Sequence, residues 1–259
     1  MEEKSYWFVF CGKSVLVETD EKGVFCRIPL QRESPVDGET LHNLSPFENI
    51  ACKAIRVPDN YSVDEKRYRF IDLRASYDYL PFPLYLIAGK ASEILYWDKN
   101  NRYCGVCGTL LENHSDISKK CPACGKEIWP LVAVAIIVLV RKGDEILLVH
   151  AHNFRGNFQG LVAGFVETGE TLEECVEREV WEETRINVHN IRYYGSQPWP
   201  YPCGLMVGFF ADYVSGEITL QKSELSEGAW YHRDNLPEIP RKLSMARQLI
   251  DAWLEGRDK

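Results

Sequence analysis

The stretch Gly164-Phe-Val-Glu-Thr-Gly-Glu170-Thr171-Leu-Glu-Glu174-Cys-Val-Glu-Arg178-Glu179-Val-Trp-Glu182-Glu183-Thr-Arg185-Ile186 decides how this chain folds. Thr171 with Glu174 three residues on is a capping box: each side chain satisfies the other's free backbone N–H, so a helix is expected over 171–185. A run of glutamates is ordinarily a solvated face, and helical geometry tests that. With about 100° per residue and Glu179 at the origin, Leu172 falls at about 20°, Val176 at about 60° and Val180 at about 100°. Glu183 falls at about 40° and Glu182 at about 300°, so the apolar stripe runs into Glu179 and Glu183, with Glu182 beside them. Glu173, Glu174 and Glu177 fall at about 120°, 220° and 160° and belong to the solvated side.

Two carboxylates ~5 Å apart repel by about 3 kcal/mol at an effective dielectric of ~20. They must share a proton, pair with a base or bind a cation. Arg178, at about 260°, points elsewhere on this wheel. A hard divalent cation, Mg²⁺ or Mn²⁺, is the natural partner for such oxygens. The bland alternative is a partly buried acidic cluster with distant basic partners.

The spacing G-x5-E-x7-R-E-(apolar)-x-E-E-x-G-(apolar) resembles the Nudix box, carried here by Gly164, Glu170, Arg178, Glu179, Val180, Glu182, Glu183 and Ile186. The departure is Arg185, where the box has a glycine that ends the helix left-handed. Arginine there costs about 1 kcal/mol and touches no metal ligand. A second stretch, Ser196-Gln-Pro-Trp199-Pro-Tyr-Pro-Cys-Gly204-Leu-Met206, is similar to the SQPWPFPxS signature of the NADH pyrophosphatase (NudC-type) family, whose members also hydrolyse NAD-capped RNA. Tyr201 stands in place of phenylalanine and Gly204 in place of serine, so a hydroxyl contact is missing.

The resemblance covers residues 97–259 and implies a fold, a site and an activity. The fold is α+β: a Nudix-type α/β/α sandwich with a mixed sheet over 130–259, preceded by a zinc ribbon over 97–129 and a smaller mixed α/β domain over 1–96. Glu179, Glu182 and Glu183, with the Ala163 carbonyl and Glu224, hold the catalytic Mg²⁺ or Mn²⁺, and Glu183 is the best candidate for general base or last metal ligand. Gln197, Pro198, Trp199, Pro200, Tyr201, Pro202, Cys203, Gly204 and Ala246 line the adenosine pocket. Phe165 and Trp129 are further stacking partners, with Asp116 a weaker contact. The counterpart of Trp129 acts across a subunit interface, which implies a homodimer. The expected reaction splits NADH or NAD⁺ into the nicotinamide mononucleotide and AMP, or removes an NAD cap from an RNA 5′ end. The alternatives are hydrolysis of ADP-ribose or FAD, or a nucleotide-sensing regulator without catalysis, against which the retained glutamates argue.

The residues support parts of this unaided. Three prolines stiffen the 196–206 segment and hold Trp199 at low entropic cost, and aromatic faces suit purine stacking worth about 1–3 kcal/mol per base. Cys104-x-x-Cys107-Gly and Cys121-x-x-Cys124-Gly lie thirteen residues apart, the arrangement of a tetrahedral structural zinc site with no open position. Gly105, Gly108 and Gly125 are read as allowing the tight knuckle turns. The ribbon is too short for a core of its own, so metal binding supplies its folding energy.

The 259 residues suit one large domain or two modest ones, and 45% hydrophobic with 26% charged residues is globular usage. A net charge of −8 argues against a broad nucleic-acid surface but leaves room for a small anion held with metal. The first residues lack a signal-peptide pattern, the longest apolar run (131–140) is too short to span a membrane, and the odd total of nine cysteines fits reduced thiols. A soluble cytoplasmic protein is expected. Before residue 97, strands are expected at 6–10, 14–18 and 24–29, a turn-rich run at 32–40 and a helix at 84–97. Beyond 130, strands are expected at 132–140, 145–149, 191–194, 205–214 and 229–232, with a last helix starting near Pro240. No internal repeat is seen.

Overall fold

The structure is a computed structural model that describes residues 3–20, 26–38, 40–154 and 156–258. Val24 and Phe25 of the expected strand at 24–29 lie outside the described residues. The chain divides into two compact units. One is Met1–Leu131 with Pro200–Cys203, and the other is Val132–Trp199 with Gly204–Lys259.

In the first unit, continuous apolar runs buried on both faces make β1 (Ser5–Cys11) and β2 (Ser14–Thr19), joined through Gly12 in the left-handed region. There follow β3 (Cys26–Arg27), β4 (Leu30–Gln31), β5 (Thr40–Phe47), β6 (Ile50–Val57), β7 (Tyr68–Asp72) and a 3₁₀ turn (Ala75–Asp78). The helix α1 (Phe82–Asn100) starts behind Pro81 and buries Leu84, Tyr85, Ala88, Ala91, Ile94 and Leu95. It packs on β1, β5 and β6. The other face of the sheet, with Trp7, Val9, Leu16, Ile55 and Val57, is covered by Val36, Tyr61 and Val63 from loops. Asp98 of α1 is buried but paired with Lys119 Nζ at 2.7 Å and Arg56 at 3.7 Å, with the His42 ring at 3.6 Å. A three-stranded ribbon completes the unit: β8 (Glu112–Ser115), β9 (Ser118–Lys120) and β10 (Glu127–Ile128).

The second unit opens with the buried strand β11 (Ala133–Lys142), followed by β12 (Glu145–Ala151), β13 (Val162–Phe165), α2 (Leu172–Thr184), β14 (Asn187–Trp199), β15 (Gly204–Ser215), β16 (Leu225–His232) and α3 (Met245–Leu254). The sheet order is β14-β15-β11-β12-β16, with β13 on β11; β15 runs parallel to β11 and the other pairs are antiparallel. Ile136, Val138, Leu147 and Val149 meet Val176 and Val180 of α2 on one face. Ile137, Leu139, Ile146 and Leu148 meet Leu249, Ile250 and Trp253 of α3 on the other. The result is the expected mixed-sheet sandwich.

Two expectations are corrected. The last helix starts at Met245 rather than near Pro240. Ser244 caps it by accepting from Arg247 N at 3.3 Å, and the residues from Pro240 form a turn that leads into that cap. The chain also does hold an internal repeat. In the first sheet β7 pairs β2, β2 pairs β1, β1 runs parallel to β6 and β6 pairs β5, with β4 on β1. Replacing β1, β2, β4, β5, β6, β7 and α1 by β11, β12, β13, β14, β15, β16 and α3 gives the second sheet strand for strand. Register carries the match further: Ser5–Gln31 and Cys11–Ser14 correspond to Ile136–Gly164 and Lys142–Glu145. The repeat escapes the sequence because it lies in hydrogen-bonded topology, and short buried apolar runs are all the two segments need share.

Candidate active site

The capping box forms as expected: Thr171 N donates to Glu174 Oε2 at 2.7 Å and Glu174 N to Thr171 Oγ1 at 3.2 Å. The helix it starts turns Cys175, Val176, Val180, Glu183 and Thr184 inward and leaves Glu173, Glu174 and Glu177 in solvent. Glu183 is only 5% exposed, and among the described residues no Lys or Arg pairs with it. Burial first, then the charges of Glu179, Glu224 and Glu182, push its carboxyl up to about 8. Burial also raises Glu179, against the pull of Arg178. Glu182 is 46% exposed at the rim.

Arg178 departs from the wheel argument. Its long side chain curves back over the helix to Glu170 at 2.7 Å, Glu179 at 2.9 Å and Glu182 at 3.2 Å, and donates to the Phe165 carbonyl at 3.1 Å. A wheel places Cα–Cβ directions, whereas an arginine reaches across a full turn. These bonds and the Glu167 N–H hold the Glu170 carboxyl down at about 2. Arg178 thus ties the loop before the helix to the acidic face.

Gly164 has a role that sequence reasoning missed beyond its place in the box. A Cβ there would stand 1.9 Å from Glu179 Cδ, so only glycine lets that carboxylate lie against β13. Ala163, its neighbour, pairs with Ile137 in the middle of the same sheet. Glu224 is exposed in the loop before β16, where it accepts from Gln221 Nε2 at 3.1 Å and its backbone carbonyl accepts from His152 N at 2.9 Å. Arg185 ends α2 in the left-handed region at φ 60°, and its guanidinium lies 4.0 Å over the Trp181 ring. Phe165, at the end of β13, is 67% exposed.

The proline-rich segment is a hairpin. Trp199 ends β14 opposite Gly204 of β15, and Pro200–Cys203 form the tip. Gln197 is buried; its Nε2 donates to the Leu243 carbonyl at 2.7 Å, and among the described residues its Oε1 has no partner. A side chain at position 204 would press on the Trp199 carbonyl at 3.2 Å. Ala246 is buried in the first turn of α3. By its contacts the tip belongs to the first unit, as do Asp116, exposed between β8 and β9, and Trp129, 52% exposed after β10. The glutamates of α2 belong to the second unit.

Cys104, Cys107, Cys121 and Cys124 place their Sγ atoms within 4.8 Å of one another, the only such cluster of potential ligands among the described residues. Each knuckle closes with a backbone bond, Gly108 N to Cys104 O and Gly125 N to Cys121 O. Gly108 and Gly125 both sit at φ 75°, where glycine is favoured, but Gly105 does not need its freedom. The cluster is built to hold a metal ion. The glutamate oxygens are spread more widely, with Glu179 and Glu182 drawn to Arg178. The donor set still fits a hard divalent cation: all oxygen, with one fully buried member that is raised by its anionic neighbours and has no basic partner among the described residues.

A mixed sheet between helices, with a glutamate helix packed behind a glycine strand, defines a Nudix hydrolase. Residues 129–253 match the NUDIX domain, and residues 4–97 match the NADH pyrophosphatase-like rudimentary NUDIX domain. The protein named NAD-capped RNA hydrolase NudC from Haemophilus influenzae (strain PittGG) is 44% identical over 98% of this chain and 94% of its own length. That from Stutzerimonas stutzeri is 40% identical over 96% and 89%. The Pseudomonas aeruginosa (strain LESB58) protein of that name is 44% identical over 68% of this chain, a match that spans 64% of its length. A Nudix hydrolase structure from Nitrosomonas europaea superposes with a TM-score of 0.52 at 21% identity, over 60% of this chain and 92% of that one, and shows the fold. The chain belongs to the NADH pyrophosphatase, NudC-type family of Nudix hydrolases, enzymes that require a divalent metal ion.

Proposed function

We propose that the protein hydrolyses the diphosphate bond of NADH or NAD⁺ to nicotinamide mononucleotide and AMP, and acts in the same way on an NAD cap at an RNA 5′ end. The observation that carries this is Glu183, a buried carboxylate among three others with no basic partner among the described residues, in a chain whose relatives are named for that cap chemistry. Glu179, Glu182, Glu183, Glu224 and the Ala163 carbonyl are the residues that would hold Mg²⁺ or Mn²⁺. When bound, the metal neutralises the diphosphate and lowers the pKa of the attacking water. Glu183 aligns that water and accepts its proton. Arg178 orients the carboxylates rather than the substrate. Trp199 and Phe165 offer faces for the adenine, and Gln197 offers an unused amide oxygen to its exocyclic amine.

The four thiolates would hold Zn²⁺ as a structural ion. We assign 1–96, the ribbon 97–129 and 130–259 as separate modules. We also assign a homodimer in which exposed Trp129 completes the partner's site, a reading that sedimentation measurements test. A cytoplasmic location accords with nine cysteines that form no disulfide. Among the described residues no helix is long and apolar enough to cross a membrane.

The test is incubation with NADH and with NAD-capped RNA in Mg²⁺ or Mn²⁺, in ¹⁸O water. AMP and the mononucleotide, one of them carrying the label, are expected. No AMP under any metal condition overturns the assignment.

A further inference from the structure

Gly89 sits in the eighth position of the nineteen-residue helix α1, and a glycine inside a helix costs about 1 kcal/mol relative to alanine. Its neighbour explains it. A Cβ at position 89 would stand 2.9 Å from Cγ of Pro200, which belongs to the tip of the 199–204 hairpin. A proline ring cannot swing away as a flexible side chain would, so the hairpin tip itself would have to move. One helical turn before Gly89, the Tyr85 hydroxyl lies 2.5 Å from that of Tyr201, the next residue of the tip. Tyr85 is buried, with the Tyr77 ring edge-on at 5.5 Å. On a third side the Arg74 guanidinium lies 4.5 Å over the Tyr201 ring. A four-residue tip is therefore gripped by one residue that leaves space, one hydrogen bond and one cation–π contact, all from the N-terminal unit.

The stem of the same hairpin carries Trp199 and Gln197, and β14–β15 pairing transmits any shift of the tip to them. We propose that Gly89, Tyr85 and Arg74 are positioning residues that set the substrate hairpin, so the N-terminal unit acts in substrate recognition without touching the reacting atoms. This rests on the reading above that Trp199 and Gln197 meet the adenosine. The N-terminal sheet then serves to present α1 to the hairpin.

The experiment uses full-length Gly89→Ala and Tyr85→Phe. Alanine favours the helix and phenylalanine keeps the ring, so both are expected to fold with melting temperatures close to wild type. The KM for NADH should rise about threefold to tenfold with kcat within about twofold, because the tip shifts while the glutamates do not. Hydrogen exchange of the 197–206 amides should quicken, while that of β11 and β12 stays unchanged. Pro200→Ala removes the clashing Cγ, so in the Gly89→Ala background it should recover part of the lost KM, a non-additive pair. Unchanged KM and unchanged hairpin exchange in both variants overturn the proposal, as does a fall in kcat at constant KM. If wild type fails to cleave NADH, the functional reading falls. Exchange then decides the clamp on its own: quickened exchange sustains it and unchanged exchange removes it.

Discussion

The two sheets of this protein share six strands wired alike, the first adding β3 on β2, and one connection sets them apart. From β4 to β5 the chain takes eight residues, 32–39. From β13 to β14 it takes residues 166–186, which include α2. In the first sheet Val36, Tyr61 and Val63 cover the exposed face, whereas in the second α2 covers it and turns Glu183 inward. The buried carboxylates differ accordingly. Asp98 has Lys119, His42 and Arg56 around it, whereas the charged groups that act on Glu183 are other carboxylates. The sheet folds without the helix, so the helix is the part kept for chemistry. A buried acid that the protein neutralises itself is structural, and one left to an external cation is a site.

The sharpest way to break this contrast is to neutralise one carboxylate on each side. Glu183→Gln should lower kcat by about 10³-fold or more while the protein stays folded, since both metal and water lose a ligand. Glu18→Gln, in the first sheet, should leave kcat unchanged: Glu18 pairs with Arg27 and Arg67 and faces no site. Steady-state rates on NADH decide, and a Glu183→Gln enzyme within tenfold of wild type would mean that the site is misassigned. Gly164→Ala should cost about 10²-fold in rate and raise the metal concentration for half-activity, because its Cβ displaces Glu179. Its counterpart Gln31→Ala should do neither.

The pH dependence of stability should run in opposite directions in the two units. Glu183 titrates near 8 when folded and near the usual ~4.3 when unfolded, so its proton stabilises the metal-free fold below that lower value. That stability is lost as pH rises through about 8, and the melting temperature of metal-free protein should fall between about pH 5 and 9. Mg²⁺ should flatten the fall and Glu183→Gln should remove it. Burial alone would raise Asp98, but His42 and Lys119 outweigh burial and hold it far below the carboxylate range. Its contribution is present above about pH 4 and lost on acidification. Asp98→Asn should therefore blunt the acid limb and spare the alkaline one. A pH-independent melting temperature in metal-free wild type would refute the account of Glu183.

How much of this was legible in the residues follows the same division. The second unit could be read because its chemistry is local: a capping box, eight box positions and a proline-rich hairpin each lie within about twenty residues. The four cysteines were legible for the same reason. In the first unit β1, β2 and α1 were legible as the strands at 6–10 and 14–18 and the helix at 84–97, but β5, β6 and β7 were not, because they are half-polar and β6 and β7 pair with β1 and β2 across long gaps, so their meaning lies in topology. The grip of Tyr85 on Tyr201 spans 116 residues and leaves no local trace. The wheel direction of Arg178 misled because a wheel carries no side-chain length, and what presses on Gly164 was missed because a single glycine does not announce it.

The smallest effect expected is at Arg185, where the box departs from glycine. Arg185→Gly would relieve the left-handed backbone at φ 60°, worth about 1 kcal/mol. It would also remove the guanidinium stacked 4.0 Å over Trp181, worth about 0.5–1 kcal/mol at an exposed site. The backbone N–H to the Trp181 carbonyl at 2.8 Å survives in either variant. These nearly cancel, so the melting temperature should move by no more than about 2 °C, with kcat unchanged. Trp181→Ala in the native background then separates the two, because it removes the stacking and keeps the strain. If Arg185→Gly stabilises as much alone as it does in the Trp181→Ala background, the cation–π contact contributes nothing and the arginine is simply tolerated strain.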